Sequence, residues 1–326
     1  MPLLGALLAL ASAATFGLNN AMLRRGVLTG GVVQAMAITV PLGVPLFALA
    51  CLLFGGFEAL SRFSGPGWAW MALAGIVHFV IGRYGNYRAT RALGATLSSP
   101  IQQLSVPISL VLALIFLDEV LTPLRLTGFV LVMIGPLVAV RGQNGSKRKL
   151  KKDTDFHPQL GEGMLWGAVC AVGYGSSPLF IMQGLGPAGN LVDSLAGGLV
   201  SYSAATIVVA VMVMLAGGVT FMRGLDRIAL KWFALSGIFV FLSQMFRYMA
   251  LAVAPVSVVV PIQRLSVIFR TIFSWFMNRD HEVFTGTVLL GIALSLLGAI
   301  ALTLSTDIVL SIVPADWAEF LSTEWP

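Results

Sequence analysis

The chain has 326 residues, of which 57% are hydrophobic and 10% charged, and it carries a formal net charge of +6. With a mean hydropathy of +0.91, this composition excludes an ordinary soluble domain and indicates a protein with many membrane spans. The positive charge needs no nucleic-acid partner, because much of it lies in basic segments beside apolar runs.

Apolar runs of about 20 residues, separated by turn signals, predict ten transmembrane helices. The strict alternation of apolar and polar residues that marks membrane-spanning strands is missing, so the predicted fold class is all-α integral membrane. In chain order, the predicted spans are 3–23, 31–54, 68–90, 95–117, 122–140, 161–183, 191–216, 229–252, 255–277 and 284–305. The first run lacks the basic segment of a signal peptide and is therefore interpreted as a helix.

A hydrophilic linker at residues 142–159 separates two sets of five predicted helices. The predicted organisation is a first repeat at 1–141, the linker, a second repeat at 160–305 and an acidic tail at 306–326. The linker contains a basic run at 147–152, which is typical of segments that set topology and contact anionic headgroups. Fourteen basic residues then lie on the linker's side of the membrane, against Arg62 and Arg125 on the other. This bias predicts a cytoplasmic linker with both termini outside, in a bacterial plasma membrane.

A seven-residue motif relates the two sets of helices. The sequence PIQQLSV at 100–106 recurs as PIQRLSV at 261–267, and the same register pairs Tyr87 with Tyr248 and Ala89 with Ala250. Residues 16–20 lie over 174–178 at nearly the same spacing. Since each unit has an odd number of helices, the second must enter the membrane in the opposite orientation, which predicts an inverted repeat and a route to alternating access.

With this repeat, the chain resembles the drug/metabolite transporter superfamily, in its ten-helix type with two EamA domains, over residues 3–305. The marks are small residues ending the third helix of each unit, an early proline and a closing acidic residue in the fourth, and glycine in the fifth. They are Ala89, Ala92, Gly94, Ala95, Pro100, Glu119 and Gly128, and Ala250, Ala252, Ala254, Pro261, Glu282 and Gly286. The resemblance implies a transporter of small metabolites, a central cavity lined mainly by helices one, three, four, six, eight and nine, and no bound cofactor. It also implies cytoplasmic termini, which the charge bias contradicts.

Residue patterns do not indicate an enzyme or an ATP-driven pump. His78, His157 and His281 lack metal-ligand spacing, and no nucleotide-binding glycine loop occurs. Cys51 and Cys170 lie in apolar runs and are interpreted as packing residues. We therefore predict no enzyme activity, cofactor, metal site or nucleic-acid partner; the expected partners are a small-molecule substrate and membrane lipids, and the oligomeric state stays open.

Polar side chains within the apolar runs are the candidate substrate-binding residues, because burying them in a membrane is costly. Twelve are predicted to line a cavity: Asn19, Asn20, Arg83, Tyr87, Gln102, Gln103, Arg247, Tyr248, Gln263, Arg264, Ser266 and Arg270. Structural alternatives remain open: the arginines could bond carbonyls of a broken helix around Pro261, the glutamines could bond carbonyls freed by the prolines, and the asparagines could join helices. Arg88 and Arg91 are interpreted as interfacial.

The repeat is asymmetric in charge, since Arg247 and Arg264 correspond to Asn86 and Gln103 in the first unit. Guanidinium groups bind carboxylate and phosphate well, so the predicted substrate is a small organic anion. No carboxylate falls clearly at mid-membrane, and His78 is the candidate for proton coupling; diffusion or anion exchange is equally compatible. The predicted function is secondary transport by alternating access, with a lipid flippase or scramblase acting on anionic headgroups and a non-transporting membrane scaffold as alternatives.

Overall fold

The architecture of the chain is that of a helical bundle. The computed structural model describes residues 2–116, 123, 126–128, 130–135, 137–139, 157–186, 189–254, 259, 262–282 and 284–303. Every regular element in these ranges is a helix, and no strand occurs in them. The predictions for the basic run at 147–152, Glu119, Pro261 and the acidic tail lie outside these ranges.

Eight α-helices and one π-helical turn precede the linker, and six α-helices follow it among the described residues. The first group is α1 (Pro2–Gly26), α2 (Val32–Thr39), α3 (Gly43–Phe54), α4 (Gly56–Leu60), α5 (Gly65–Gly75), the π turn (Ile76–Gly82), α6 (Arg83–Gln102), α7 (Ser105–Phe116) and α8 (Leu126–Ala139). The second is α9 (Leu160–Leu185), α10 (Leu191–Leu215), α11 (Gly218–Arg223), α12 (Arg227–Val253), α13 (Ser266–Asn278) and α14 (Gly286–Thr303).

Six helical segments among the described residues are long and apolar enough to span a membrane. They are Leu4–Gly26, Val32–Phe54, Gly65–Gln102, Leu160–Leu185, Leu191–Leu215 and Arg227–Val253. Two shorter apolar helices, Leu126–Ala139 and Gly286–Gly298, fall within the fifth and tenth predicted spans. The second span is interrupted between α2 and α3 beside Pro41, because proline has no N–H to donate. The protein is therefore an all-helical integral membrane protein.

The predicted boundary between the third and fourth spans coincides with a backbone break at Gly94. Gly94 has φ 83° and ψ 166° within an otherwise helical segment, a conformation essentially restricted to glycine. The carboxylate of Glu282 accepts hydrogen bonds from the next two amides, Ala95 N at 2.6 Å and Thr96 N at 2.8 Å. Gly94 thus ends one helical segment, and Glu282 caps the start of the next.

Replacing Gly94 with alanine is expected to destabilise the protein markedly. The backbone conformation is strained for any residue with a Cβ, and that Cβ would lie 2.6 Å from Glu282 Oε2. A backbone conformation this sparsely populated costs roughly 1–3 kcal/mol on its own, and the contact with the buried carboxylate adds to that cost. Gly55→Ala is the comparison, since Gly55 has φ +77 with nothing within 4 Å of its Cβ position. The fall in melting temperature is expected to be larger in Gly94→Ala than in Gly55→Ala. An equal fall in both variants would show that the contact with Glu282 adds nothing to the cost at Gly94.

Helices from before the linker pack directly against helices from after it. α1 contacts α12 and α13, α6 contacts α9, and α10 contacts α3 and α5. An aromatic cluster fills part of this interface: Phe47 and Phe79 both contact Tyr202, with centroid distances of 5.3 and 4.0 Å. The bundle has two ends. We call the end that holds Gly26, Arg91 and Leu160 the linker end, and the end that holds Leu4, Gly55 and Val253 the opposite end.

Candidate functional site

A polar cavity of about 70 Å³ lies in the interior between α1, α12 and the start of α13. α1 and α12 run side by side, and their facing polar residues leave a space that the aliphatic side chains do not fill. The cavity is lined by Ser12, Ala13, Phe16, His78, Tyr174, Ser243, Gln244, Arg247, Gln263, Arg264 and Ser266. We call it the arginine cavity.

Arg247 lies on α12, and its side chain is held by neutral groups. Its Nη1 donates to Gln244 Oε1 at 3.3 Å and its Nη2 to Ser177 Oγ at 3.1 Å. Both ring nitrogens of His78 lie close to Arg247 Nη1, at 3.1 and 3.2 Å. Arg247 as a whole is only 6% exposed, so its side chain is held in place without a carboxylate partner among the described residues.

Arg264 approaches the same cavity just before α13. Its Nη1 donates to Ser105 Oγ at 2.8 Å. Its Nε is buried and has no hydrogen-bond partner among the described residues. Since a guanidinium carries five N–H donors, and an unsatisfied buried donor is costly, Arg264 retains donors that an acceptor in the cavity would satisfy.

The remaining wall combines aromatic rings with neutral polar groups. Tyr174 stacks on His78 at a centroid distance of 4.3 Å and meets Phe16 edge-on at 6.2 Å. Ser12 and Ser243 exchange hydrogen bonds between hydroxyl and backbone carbonyl at 2.9 and 3.0 Å, which joins α1 to α12. These contacts join helices that precede the linker in the sequence to helices that follow it.

The charge of the arginine cavity is positive. Among its described residues, the lining contains two arginines and no aspartate or glutamate. Charges attract and repel strongly in a low-dielectric interior, so the cavity favours an anion and disfavours a cation. Among the residues that the structure describes, no three histidine, cysteine, aspartate or glutamate side chains come together as a metal site requires.

The structure brings four of the twelve predicted site residues together in this cavity. They are Arg247, Gln263, Arg264 and Ser266. The other eight lie outside its lining, within the interior of the bundle: Asn19, Asn20, Arg83, Tyr87, Gln102, Gln103, Tyr248 and Arg270.

One group of these outer residues forms a hydrogen-bonded chain from α13 to α1. Arg270 donates to Gln102 Oε1 at 2.9 Å, Gln102 donates to Asn86 Oδ1 at 2.8 Å, and Asn86 donates to Asn20 Oδ1 at 3.1 Å. Gln102 therefore bonds side chains rather than the carbonyls that Pro100 frees. The chain fixes three helices relative to one another on the linker side of the cavity.

Arg83 and Tyr87 share one helix face, as their spacing of four residues predicts. That face meets α2: Arg83 Nη1 donates to the Thr39 carbonyl at 3.3 Å, and Tyr87 Oη lies 2.9 Å from Thr39 Oγ1. The Arg83 guanidinium also stands 4.9 Å from the centre of the Phe79 ring. These side chains thus join helices, away from the arginine cavity.

The last three outer residues also lie between helices. Tyr248 donates to Ser201 Oγ at 3.0 Å. Asn19 Oδ1 accepts from Ser236 Oγ at 2.6 Å. Gln103 is buried, and its Nε2 has no partner among the described residues.

Seven lining residues were not in the predicted set: Ser12, Ala13, Phe16, His78, Tyr174, Ser243 and Gln244. A signal for two of them exists in the sequence, because Phe16 and Tyr174 occupy equivalent positions in the repeat and meet across the cavity. Gln244 precedes Arg247 by three residues on one helix face, which is a second signal.

A buried ion pair lies at the linker end of the bundle. Arg24 Nε lies 3.5 Å from Glu282 Oε1, and the two side chains are 1% and 0% exposed. Arg24 also donates to the carbonyls of Thr90 at 3.2 Å, Arg91 at 3.1 Å and His281 at 2.8 Å. Since Glu282 caps the segment after Gly94, this pair ties α1 to the helix break and to the end of α13. We call it the linker-end ion pair.

A vestibule of about 720 Å³ lies at the opposite end. Leu4, Gly55, Asn190 and Val253 are among the residues that line it. At its rim, Arg62 donates twice to Asp193 Oδ1, at 3.1 and 2.5 Å. The volume of the vestibule is therefore much larger than that of the arginine cavity.

Comparison with known proteins agrees with this architecture. Residues 3–141 match the model of the EamA-like transporter family. A solved crystal structure, titled only as that of a protein, superposes with a TM-score of 0.62 at 16% identity, over 92% of this chain and 97% of that one; a likeness at this identity shows the fold. No curated protein matches the sequence. The match assigns residues 3–141 to the EamA-like transporter family, which lies within the drug/metabolite transporter superfamily.

Proposed function

We propose that this membrane transporter moves a small organic anion by alternating access, with the arginine cavity as its substrate site. The observation that carries the proposal is the pair Arg247 and Arg264 in a cavity whose described lining residues include no carboxylate. An anion bound there supplies the missing counter-charge and satisfies Arg264 Nε. Family membership makes a small-molecule substrate expected and gives no reason to expect an enzyme.

The position of the cavity supports alternating access. Ser12 lies eight residues along α1 from Leu4 in the vestibule, which is about 12 Å at 1.5 Å per residue. Arg247 lies five residues along α12 from Ala252, or about 7.5 Å. The arginine cavity therefore lies about 1.4 to 2.2 helical turns below the vestibule, and we propose that the linker-end ion pair closes the other side. In this conformation, the substrate enters from the opposite end.

Matching helix starts support the proposed inverted repeat. Gln34 is the third residue of α2, and its Oε1 accepts from Gly31 N at 2.9 Å. Asp193 is the third residue of α10, and its Oδ2 accepts from Asn190 N at 3.1 Å. Each side chain also bonds a short segment from the other half of the sequence. Gln34 donates to the Phe221 carbonyl on α11 at 3.0 Å, and Asp193 accepts from Arg62, which lies between α4 and α5. One arrangement thus occurs at both ends of the bundle.

The proposed architecture is ten transmembrane helices in two inverted units, at 1–141 and 160–305, joined by the linker at 142–159. The orientation rests on the distribution of arginine and lysine, which puts the linker in the cytoplasm and both termini outside. On that assignment the vestibule is external, and the structure corresponds to an outward-facing state.

Uptake into proteoliposomes tests the proposed function. Purified protein is expected to take up labelled small carboxylates or phosphate esters, and Arg247→Gln is expected to lower that uptake by at least about tenfold. Arg223→Gln is the matched control, because Arg223 is exposed on α11 and loses the same charge. Transfer of fluorescent anionic lipid between leaflets, without uptake of any soluble anion, would favour a flippase. Absence of both activities would favour a scaffold.

A further inference from the structure

We infer that the preferred occupant of the arginine cavity is a short hydroxycarboxylate, a two- to four-carbon acid with a hydroxyl group beside its carboxylate. This inference rests on the proposed function and narrows the anion to a chemical class. It follows from three properties of the cavity: its size, its neutral polar groups that remain unpaired, and the absence of aspartate and glutamate among its described lining residues.

The size of the cavity limits the length of the substrate. The cavity measures about 70 Å³, and one ordered water needs roughly 10–15 Å³ on the same measure. About five to seven water-sized groups therefore fit. A three-carbon acid with one or two hydroxyl groups fits this space, and the small volume favours it over a much larger anion such as a nucleotide.

Neutral hydrogen-bonding groups face the cavity beside the two arginines. Gln263 Oε1, Gln244 Nε2 and Ser266 Oγ make no hydrogen bond among the described residues. The amide oxygen can accept from a substrate hydroxyl, and the amide nitrogen and serine hydroxyl can donate to one. Ala13 and Phe16 offer apolar surface for the carbon atoms. The lining therefore matches an anion that also carries hydroxyl groups.

Because no acidic side chain occurs among the described lining residues, the cavity is expected to bind a hydroxy acid and to reject an amino acid. A substrate ammonium group would stand beside Arg247 and Arg264, and the described residues of the lining offer no carboxylate to pair with it. Like charges in a low-dielectric site repel strongly. A hydroxyl in the same place carries no charge and can bond Gln263 or Ser266. The cavity is thus expected to accept glycerate and reject serine, which differ only in that group.

Four ligands test the inference in binding and uptake measurements with the purified full-length protein: glycerate, serine, propionate and inorganic phosphate. Glycerate is expected to bind at least about tenfold more tightly than serine, which adds a positive charge, and than propionate, which lacks the hydroxyls. Equal binding of glycerate and serine would overturn the role of the absent acidic side chain. Equal binding of glycerate and propionate would overturn the role of the neutral groups.

A variant of Ser266 tests whether the neutral lining groups recognise the hydroxyl groups of the substrate. Ser266→Ala is expected to narrow the ratio of glycerate to propionate affinity by about threefold or more, since one hydrogen-bonding group is lost. Ser61→Ala removes an exposed hydroxyl far from the cavity and is expected to leave the ratio unchanged. An unchanged ratio in Ser266→Ala would contradict the inference.

The outcomes separate this inference from the proposed function. Binding of phosphate or of an aromatic carboxylate that depends on Arg247, without binding of glycerate, would overturn the hydroxycarboxylate and leave anion transport standing. Binding of no anion at all would overturn both.

Discussion

Replacing Arg247 with glutamine is expected to weaken the binding of anionic substrates by roughly 10- to 100-fold. A hydrogen bond to a charged group contributes about 1.5–3 kcal/mol, which corresponds to about that range in the dissociation constant. Glutamine can still bond its neutral neighbours Gln244 and Ser177, so the variant is expected to fold. Titration calorimetry of the protein in nanodiscs measures the effect, and Arg264→Gln is expected to behave similarly.

Two other arginines provide controls for this prediction. Arg83→Gln removes a buried guanidinium that bonds Thr39 and Tyr202, at 3.3 and 2.9 Å, outside the cavity lining. It is expected to lower the melting temperature while leaving anion affinity nearly unchanged. Arg223→Gln is expected to change neither quantity. If Arg83→Gln lost affinity and Arg247→Gln kept it, the substrate site would lie at the interface with α2 instead.

Replacing Glu282 with glutamine is expected to open the linker end of the bundle. Arg24 would keep its charge within the buried end and lose its carboxylate partner. Removing one partner of a buried ion pair costs about 3–5 kcal/mol, and the caps on Ala95 and Thr96 are weakened as well. The conformation closed at the linker end is thereby destabilised, so the population shifts towards a state in which water reaches Arg24.

A cysteine reporter measures this opening. Thr96→Cys places a thiol beside Glu282, in a background where Cys51 and Cys170 are replaced by alanine. A membrane-impermeant maleimide is expected to label it from the linker side several-fold faster in Glu282→Gln than in the parent. Glu58→Gln removes an exposed acid at the vestibule and is expected to leave labelling unchanged. Arg24→Gln combined with Glu282→Gln removes both charges, so it is expected to recover much of the lost stability; equal instability of the single and double variants would contradict the role of the ion pair.

Much of the fold follows from hydropathy and turn residues. The spans at 161–183, 191–216 and 229–252 agree with α9, α10 and α12 to within a few residues, because α10 and α12 begin at strong capping residues, Asn190 and Asp226. The break at Gly94 was predicted as a boundary, but its conformation depends on Glu282, a residue far along the chain. The ten-helix inverted repeat stays a proposal, supported by the equivalent caps at Gln34 and Asp193.

The site was less predictable than the fold, because periodicity shows which residues share a face but not which helix that face meets. Arg83 and Tyr87 share a face as predicted, and that face meets Thr39 on α2. Gln263 and Ser266 reach the cavity, whereas Arg270, which lies four residues after Ser266 and so on the same helix face, donates to Gln102. Helix packing decides these outcomes, and one sequence does not contain the angles between helices.

Thermal stability of the purified protein with a panel of anionic, neutral and cationic metabolites tests the central claim most directly, since a ligand that binds only the folded state raises the melting temperature. The arginine cavity predicts stabilisation by small anions, and loss of that effect when Arg247 and Arg264 are both replaced by glutamine. Stabilisation by cations or neutral compounds alone, or by anions equally in the double variant, would contradict it and assign both arginines a structural role.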